Sequence, residues 1–190
     1  MKTIKKYGKP PCLFKADIAP EDFWRLAYSF REQGEWRQMS YLYFDTGETK
    51  EAAELYNHDL RLRVRVKEGR NSLEIKDYSD PTHWDVGQKI SDEDLRELMQ
   101  GRLPDGEARH ICSVLGISGR LRCIKVAHTL RMKIWIDDGI LVLDMTTWPQ
   151  ARYEVEYRSE QKKMPPAVYN IKASFCANPR AHDKMEELWS

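Results

Sequence analysis

The segment LRLRVRVK, residues 60–67, alternates apolar and basic side chains without interruption. Successive side chains of a β-strand point to opposite faces, so Arg61, Arg63 and Arg65 are expected on one face of a strand. The leucine and valine side chains between them are expected on the other face. The segment therefore predicts a strand with one ionic face and one apolar face.

Three further predicted strands show the same division. The charged pairs are Glu74 and Lys76 in residues 72–77, Arg131 and Lys133 in residues 129–136, and Glu154 and Glu156 in residues 152–158. The residues that alternate with each pair are apolar, as in a sheet that packs one face on a core. Four strands of this kind predict one large sheet with a charged side.

The rest of the chain predicts more strands together with helices. Further strands are predicted at residues 12–18, 39–45, 121–126 and 140–146, with another candidate at 82–89. Helices are predicted from Pro20 to a break at Gly34, from Ser91 to Gly101, over 107–115, from Pro166, and near the end of the chain. Turns at 68–71 and 137–139 join hairpins. Eight or nine strands, mostly in hairpin order, predict an α+β fold with a large antiparallel sheet or barrel, in a single domain over residues 1–190.

The composition of the chain argues against several classes of protein. The net charge is +1 although 32% of the residues are charged, which disfavours a nucleic-acid-binding protein. No stretch of about 18 apolar residues occurs, and the first residues lack the apolar region of a secretory signal, so we expect a cytoplasmic protein without a membrane span. The cysteines include no CxxC pair, which argues against a zinc site or a disulfide framework. They are Cys12, Cys112, Cys123 and Cys176.

Two interpretations of the ionic faces remain open. The simpler one is an antiparallel sheet with its charged side in water. The other is a sheet rolled up so that helices cover the apolar face and the charges line the interior. Three arginines in one row repel one another, and a bound anion or facing carboxylates would relieve that repulsion. Guanidinium groups suit phosphate because their planar fork donates two parallel hydrogen bonds.

The acidic pair Glu154 and Glu156 is a candidate metal site. Mg²⁺ or Mn²⁺ is commonly held by one or two carboxylates together with water and phosphate oxygens. Asp144 precedes the pair by one hairpin, and a turn centred near 149–150 would bring it close to Val155. No Gly-rich phosphate loop occurs, and the histidines do not fall at metal-ligand spacing.

These segments resemble the CYTH superfamily, also called triphosphate tunnel metalloenzymes, which includes class IV adenylate cyclases, inorganic triphosphatases and thiamine triphosphatases. The matching segments are YLYFDT (41–46), LRLRVR (60–65), SLEIK (72–76), TLRMKI (129–134), GILVLDMTTW (139–148), RYEVEYR (152–158) and HDK (182–184). The resemblance extends from about Lys15 to the end of the chain, and the order of the segments is more specific than any one of them.

The resemblance implies an eight-stranded antiparallel β-barrel, the triphosphate tunnel, with flanking helices. It implies Mg²⁺ or Mn²⁺ as cofactor and a triphosphate-containing small molecule as partner. The implied substrate-binding residues are Lys15, Arg61, Arg63, Arg65, Lys76, Arg131, Lys133 and Lys184. The implied metal ligands are Glu154, Glu156, Asp144 and Glu74, and the implied catalytic residues are Glu154, Glu156 and Lys76.

One part of the family pattern is missing. The family carries a Glu-x-Glu-x-Lys strand near its N-terminus, and here the same positions read Pro11-Cys12-Leu13-Phe14-Lys15. The lysine is present and both glutamates, which are metal ligands in the family, are absent. Three functions follow as hypotheses: metal-dependent hydrolysis of a triphosphate, binding of a phosphorylated small molecule without turnover, and, third, a class IV-like adenylate cyclase. The oligomeric state is left open.

Overall fold

Eight strands and five helices form the described part of the chain, which in the computed structural model comprises residues 12–79, 85–147, 151–161 and 163–175. The strands are β1 Cys12–Asp17, β2 Gly34–Asp45, β3 Leu60–Lys67, β4 Arg70–Asp77, β5 Asp85–Ile90, β6 Arg122–Ile136, β7 Gly139–Thr147 and β8 Ala151–Ser159. The helices are α1 Pro20–Ser29, α2 Glu54–Asn57, α3 Asp92–Met99, α4 Glu107–Val114 and α5 Pro166–Phe175.

The strands form one eight-stranded sheet in the order β1-β8-β7-β6-β2-β3-β4-β5. Pairing is antiparallel in the ladders β1–β8, β2–β3, β3–β4, β4–β5, β6–β7 and β7–β8. The α+β class and the antiparallel sheet with flanking helices are therefore confirmed. In this order β1 and β5 are the first and last strands.

The chain divides into two compact units, each with its own core. Of the described residues, those within 40–127 belong to the first unit, and those within 12–39 and 128–175 belong to the second. The single domain expected over residues 1–190 stays a prediction. Of the helices in the described residues, none has the length and apolar character needed to cross a bilayer.

The core of the first unit lies between the apolar faces of β3 and β4 and the helices α2, α3 and α4. Leu62 and Leu73 from the strands are clustered with Leu55, Leu98 and Cys112 from the three helices, and all are buried. The helices therefore cover the apolar side of these strands. Because side chains alternate, the arginine row of β3 lies on the opposite side.

The second unit has the same construction. Leu143 of β7 and Val155 of β8 are clustered with Phe23 of α1 and Val168 of α5, and each of these four is fully buried. Pro20 is the first residue of α1, where its missing N–H costs no hydrogen bond. As in the first unit, helices cover the apolar side and leave the charged side to face the other way.

Several predicted boundaries were accurate. Strand β3 has the expected bounds, and α3 follows Ser91 as expected, with a capping box at its start. In that box the Asp94 amide donates to Ser91 Oγ at 3.0 Å, and the Ser91 amide donates to Asp94 Oδ2 at 2.8 Å. The hairpin between β3 and β4 is tighter than expected, because Lys67 pairs with Arg70. Glu68 and Gly69 form its two-residue turn, with φ of 51° and 69°.

Three predictions were wrong. Strand β2 begins at Gly34 rather than at residue 39, because the Gly34 amide closes the turn after α1 through Phe30 O at 2.8 Å and the strand starts at once. Its first residues are mostly polar and lack the expected alternation. Strand β6 is one continuous strand of 15 residues where two were predicted. Helix α2 was missed, since four residues are too few to show a helical period.

The missed helix is held by a buried carboxylate. Asp45, which is 3% exposed, accepts hydrogen bonds from the amides of Thr46 at 2.7 Å, Leu55 at 3.0 Å and Tyr56 at 3.0 Å. Burial raises the pKa of Asp45, and these amide donors act against that rise. The side chain thus joins the end of β2 to the start of α2.

Replacing Asp45 by alanine is expected to lower the free energy of unfolding by about 1–3 kcal/mol, because buried amides lose their acceptor. Asp45→Asn keeps one carbonyl oxygen and removes the buried charge, so a smaller loss is expected. Urea unfolding measures both, with Glu160→Ala, at an exposed position, as the control. Equal stabilities of Asp45→Ala and the control would contradict this role.

Candidate functional site

The arginine row of β3 lies on a largely enclosed face of the first unit. Arg61 is 4% exposed, and the side chains of Arg63 and Arg65 are 11% and 32% exposed. Across the ladder to β4, Arg61 lies opposite Lys76 and Arg63 lies opposite Glu74. The first two arginines of the row are thus shielded from bulk solvent, contrary to the simpler interpretation of a charged face in water.

Glu74 is the counterion of two of these arginines. Arg63 donates to Glu74 Oε2 through Nε at 2.8 Å and Nη2 at 2.6 Å, and Arg65 Nη1 lies 3.1 Å from Oε1. Burial is the largest single influence and acts to lower the pKa of Arg63, but Glu74, Tyr41 and Tyr43 together outweigh it and raise that pKa above its usual value. Arg63 therefore keeps its charge, and the one carboxylate of Glu74 neutralises two guanidinium groups only in part.

Tyrosine rings hold the guanidinium groups in place. Arg63 Cζ lies 4.5 Å from the centre of the Tyr41 ring, and Arg61 Cζ lies 4.6 Å from that of Tyr78 and 5.9 Å from that of Tyr43. Such cation–π contacts favour the charged form and fix the plane of the group. Sequence reasoning missed this role, although the alternation in Tyr41-Leu42-Tyr43 placed both tyrosines on one face.

The second unit carries the acidic row. Glu154 and Glu156 lie on one face of β8 and are 3% and 6% exposed. Asp144 of β7 lies opposite Glu154 in the β7–β8 ladder. The predicted partner was Val155, and the register differs by one residue because Thr147 pairs with Ala151. Arg131 of β6 donates to both oxygens of Asp144, from Nε and Nη2, at 2.6 Å each. Three predicted metal ligands therefore share one face, each beside a basic side chain.

Lys15 of β1 lies between the two glutamates. Its Nζ is 3.0 Å from Glu154 Oε1 and 3.7 Å from Glu156 Oε2, and Arg158 forms a further ion pair with Glu156. Burial acts to raise the pKa of Glu156, but the charges of Lys15 and Arg158 outweigh it and lower that pKa. Glu156 is therefore an ionised, buried carboxylate.

Arg152 and Arg158 are basic residues on this face that the sequence prediction missed. Arg152 binds Asp17 of β1 through Nε at 3.0 Å and through Nη2 at 2.8 and 2.9 Å, and it lies 3.8 Å from Glu154 Oε1. Its position two residues before Glu154 was a usable signal, because alternation places both on the same face. The ion pair fixes the β1–β8 edge on which Lys15 lies.

A bulge in β1 lies at the position where the resembled motif has its second glutamate. Cys12 pairs with Arg158 and Phe14 pairs with Tyr157, so Leu13 is the extra residue. Leu13 packs against the apolar core of the second unit, and Cys12 takes the place beside the charged row. Leu13, which the sequence aligned with the second glutamate, is therefore not on the charged face.

The remaining predicted residues lie as follows. Lys76 is half-buried on β4, and Lys133 is half-buried on β6 opposite Val142. Both are on the charged side of their unit. Lys184 and His182 lie outside the described residues, so the predicted role of Lys184 stays a prediction.

The carboxylate oxygens of the acidic row suit a divalent cation whose other ligands are water and phosphate oxygens. Within the described ranges, no group of three or more His, Cys, Asp or Glu side chains is gathered closely enough to hold a metal. Glu154 and Glu156 supply two buried carboxylates on one face, which is the usual protein contribution to a Mg²⁺ site completed by water and substrate phosphates. Glu74, bound by two arginines, is less suited to this role than the β8 pair.

Comparison with family models gives no match, and no curated protein matches the chain. Solved structures do match it. A candidate adenylate cyclase from Bacillus halodurans superposes with a TM-score of 0.78 at 21% identity, over 96% of this chain and all of that protein (100%).

Two other solved structures extend the comparison. The candidate adenylyl cyclase of Hippeastrum, which is described as having a dominant triphosphatase activity, gives a TM-score of 0.71 at 16% identity, over 92% of this chain and 93% of that one. A conserved hypothetical protein from Pyrococcus furiosus gives a TM-score of 0.52 at 14% identity, over 90% of this chain and 96% of that one. At these identities the comparisons establish the fold alone: the chain has the fold of these solved structures, in line with the fold class that its sequence resemblance predicts.

Proposed function

We propose that this chain hydrolyses a triphosphate-containing small molecule with the help of Mg²⁺ or Mn²⁺. The observation that carries the proposal is the enclosed arginine row of β3, in which Arg61 is 4% exposed and Arg63 shares Glu74 with Arg65. Enclosing several like charges is costly unless opposite charge is supplied. A triphosphate supplies that charge in a form that guanidinium groups recognise.

The proposed phosphate ligands are basic residues, taken for each unit by itself. Arg63 and Arg65 present planar donors that their partners already orient, so little side-chain entropy is lost when phosphate binds. Lys76 is the proposed catalytic cation of the first unit. In the second unit the proposed phosphate ligands are Arg131, Lys133 and Lys15, of which Arg131 and Lys15 contact carboxylates. Catalysis then consists of positioning and electrostatic stabilisation, as is usual for phosphoryl transfer.

Glu154 and Glu156 are the proposed metal ligands, with Asp144 beside them. A divalent cation held there would neutralise negative charge on the phosphate oxygens. The carboxylates contribute by being buried and, for Glu156, by remaining ionised through its basic neighbours. Arg131 keeps Asp144 oriented through two hydrogen bonds.

The triphosphatase activity stated for the Hippeastrum protein supports this proposal. The candidate cyclase from Bacillus halodurans keeps cyclisation of a nucleoside triphosphate as a lesser alternative. Both proteins share the fold with this chain at low identity, so the activity must be tested directly.

Binding of a phosphorylated molecule without turnover is the second candidate function. It is favoured by the bulge in β1, since Leu13 packs in the core and Cys12 takes the charged-face position. The second unit thus lacks a carboxylate at the position where the family carries a metal ligand. With fewer ligands the metal would bind more weakly, and an anion held by the basic residues would be released unchanged.

Glu156→Gln is expected to reduce phosphate release by about 100-fold or more, because it removes a charged metal ligand at the reaction centre. Purified protein is incubated with tripolyphosphate, ATP or thiamine triphosphate and with Mg²⁺ or Mn²⁺. Free phosphate and cyclic AMP are both measured. The matched control is Glu160→Gln, an exposed acid just beyond β8.

Three outcomes distinguish the candidates. Phosphate release that Glu156→Gln leaves unchanged would contradict the proposal. Tight tripolyphosphate binding without release by the wild-type protein would support the binding function, and cyclic AMP from ATP would support the cyclase.

Glu74→Gln is expected to change stability and phosphate binding in opposite directions. Removing the shared carboxylate leaves Arg63 and Arg65 less neutralised, so the free energy of unfolding is expected to fall by about 3 kcal/mol. The more positive face is expected to bind tripolyphosphate about tenfold more tightly at low salt. Urea unfolding and isothermal titration calorimetry measure the two effects.

Glu93→Gln is the control for this variant, because Glu93 forms an exposed ion pair with Arg96 on α3. It is expected to change stability by less than about 0.5 kcal/mol and to leave tripolyphosphate affinity unchanged. If Glu74→Gln bound tripolyphosphate no more tightly than wild type, the arginine row would not be the phosphate-binding face.

A further inference from the structure

The ammonium group of Lys15 occupies the space between the two carboxylates assigned to the metal. Lys15 lies opposite Glu156 in the β1–β8 ladder, and its Nζ is 3.0 Å from Glu154 Oε1 and 3.7 Å from Glu156 Oε2. Its side chain is 25% exposed, whereas those of the glutamates are 3% and 8% exposed. The lysine is therefore the more accessible member of this triad.

Two arginines also lie beside the glutamates. Arg158 forms an ion pair with Glu156, and Arg152 lies 3.8 Å from Glu154 while it binds Asp17. Each glutamate is thus already in contact with basic groups. A divalent cation entering this face meets carboxylates whose charge is largely neutralised.

A cation held by both glutamates would lie close to the lysine ammonium. Metal–oxygen distances for Mg²⁺ are about 2.1 Å, shorter than the 3.0 and 3.7 Å at which Nζ now lies from the two oxygens. Two cations sharing the same pair of carboxylates repel each other strongly at such separations. One of them must leave, and the flexible lysine is the one that can turn away.

We propose that Lys15 competes with the divalent cation for Glu154 and Glu156, so that the metal binds well only when phosphate draws Lys15 away from the pair. This inference rests on the proposed function, since it takes the metal and the triphosphate from it. Metal and substrate then bind with positive coupling, and metal alone binds weakly. Lys15 acts as a positioning residue that links the two binding events.

Mn²⁺ binding without any phosphate tests the competition directly. The electron paramagnetic resonance signal of free aqueous Mn²⁺ is titrated with wild-type protein and with Lys15→Met. The variant is expected to bind Mn²⁺ about tenfold or more tightly, because the competing charge is gone. Lys15→Arg keeps the charge and is expected to stay close to wild type. Lys172→Met, at an exposed lysine of α5, is the matched control and is expected to change nothing.

A double variant assigns any gain in affinity to this site. Glu156→Gln added to Lys15→Met is expected to return Mn²⁺ affinity to the wild-type value or below. If the double variant kept the tighter binding, the ion would lie elsewhere and the proposal would be wrong. Circular dichroism and thermal unfolding check the fold of each variant, and Lys15→Gln replaces Lys15→Met should the latter fail to fold.

The proposal is overturned if Lys15→Met binds Mn²⁺ no more tightly than wild type, or if Lys15→Arg gains as much as Lys15→Met. Failure of the proposed function gives a different result. In that case no triphosphate is hydrolysed by any variant, yet Lys15→Met still binds Mn²⁺ more tightly. Hydrolysis by wild type together with unchanged Mn²⁺ affinity in Lys15→Met would instead keep the function and reject the competition.

Discussion

Ion pairs between neighbouring strands are the interactions on which the rest of the structure depends. The charged side of each unit is enclosed, and enclosed charges are tolerated only when opposite charges lie within contact distance. Arg63 with Glu74 and Arg131 with Asp144 provide this contact across the β3–β4 and β6–β7 ladders. These pairs keep the charged faces ordered, while the helices on the other side bury the apolar residues of the same strands.

The same ion pairs limit how a charged ligand can bind. Each carboxylate of the acidic row already has a basic neighbour. Among the described residues, lysine or arginine contacts Glu154, Glu156 and Asp144. Under the proposed function, a phosphate or a metal would therefore bind by exchanging partners rather than by pairing with an isolated charge. A ligand that carries both signs, such as a metal–triphosphate complex, satisfies both kinds of partner in one step. If the chain binds a metal as proposed, the absence of the two glutamates of the resembled motif would make this exchange more important, because the second unit has fewer carboxylates to hold a metal by itself.

The fold was predictable to the extent that it depends on local alternation. The period of two in residues 60–67 gave the bounds of β3 and the side on which its arginines lie, because strand geometry fixes both. Prediction failed where the local pattern was weak or misleading. The first residues of β2 are mostly polar, the junction inside β6 breaks the alternation, and α2 is only four residues long. Pairing with neighbouring strands and the amide bonds of Asp45 hold these segments instead.

The sequence by itself determined which residues share a face: the arginine row of β3 and the glutamate pair of β8 follow from side-chain alternation within one strand. Only the tertiary structure decided which residues of different strands meet. It set Asp144 opposite Glu154, placed Lys15 between the glutamates, and through one bulge turned Leu13 into the core and Cys12 toward Arg158. The physical reason is that alternation is a property of one chain segment, whereas register and bulges are set by the packing of two strands against a common core.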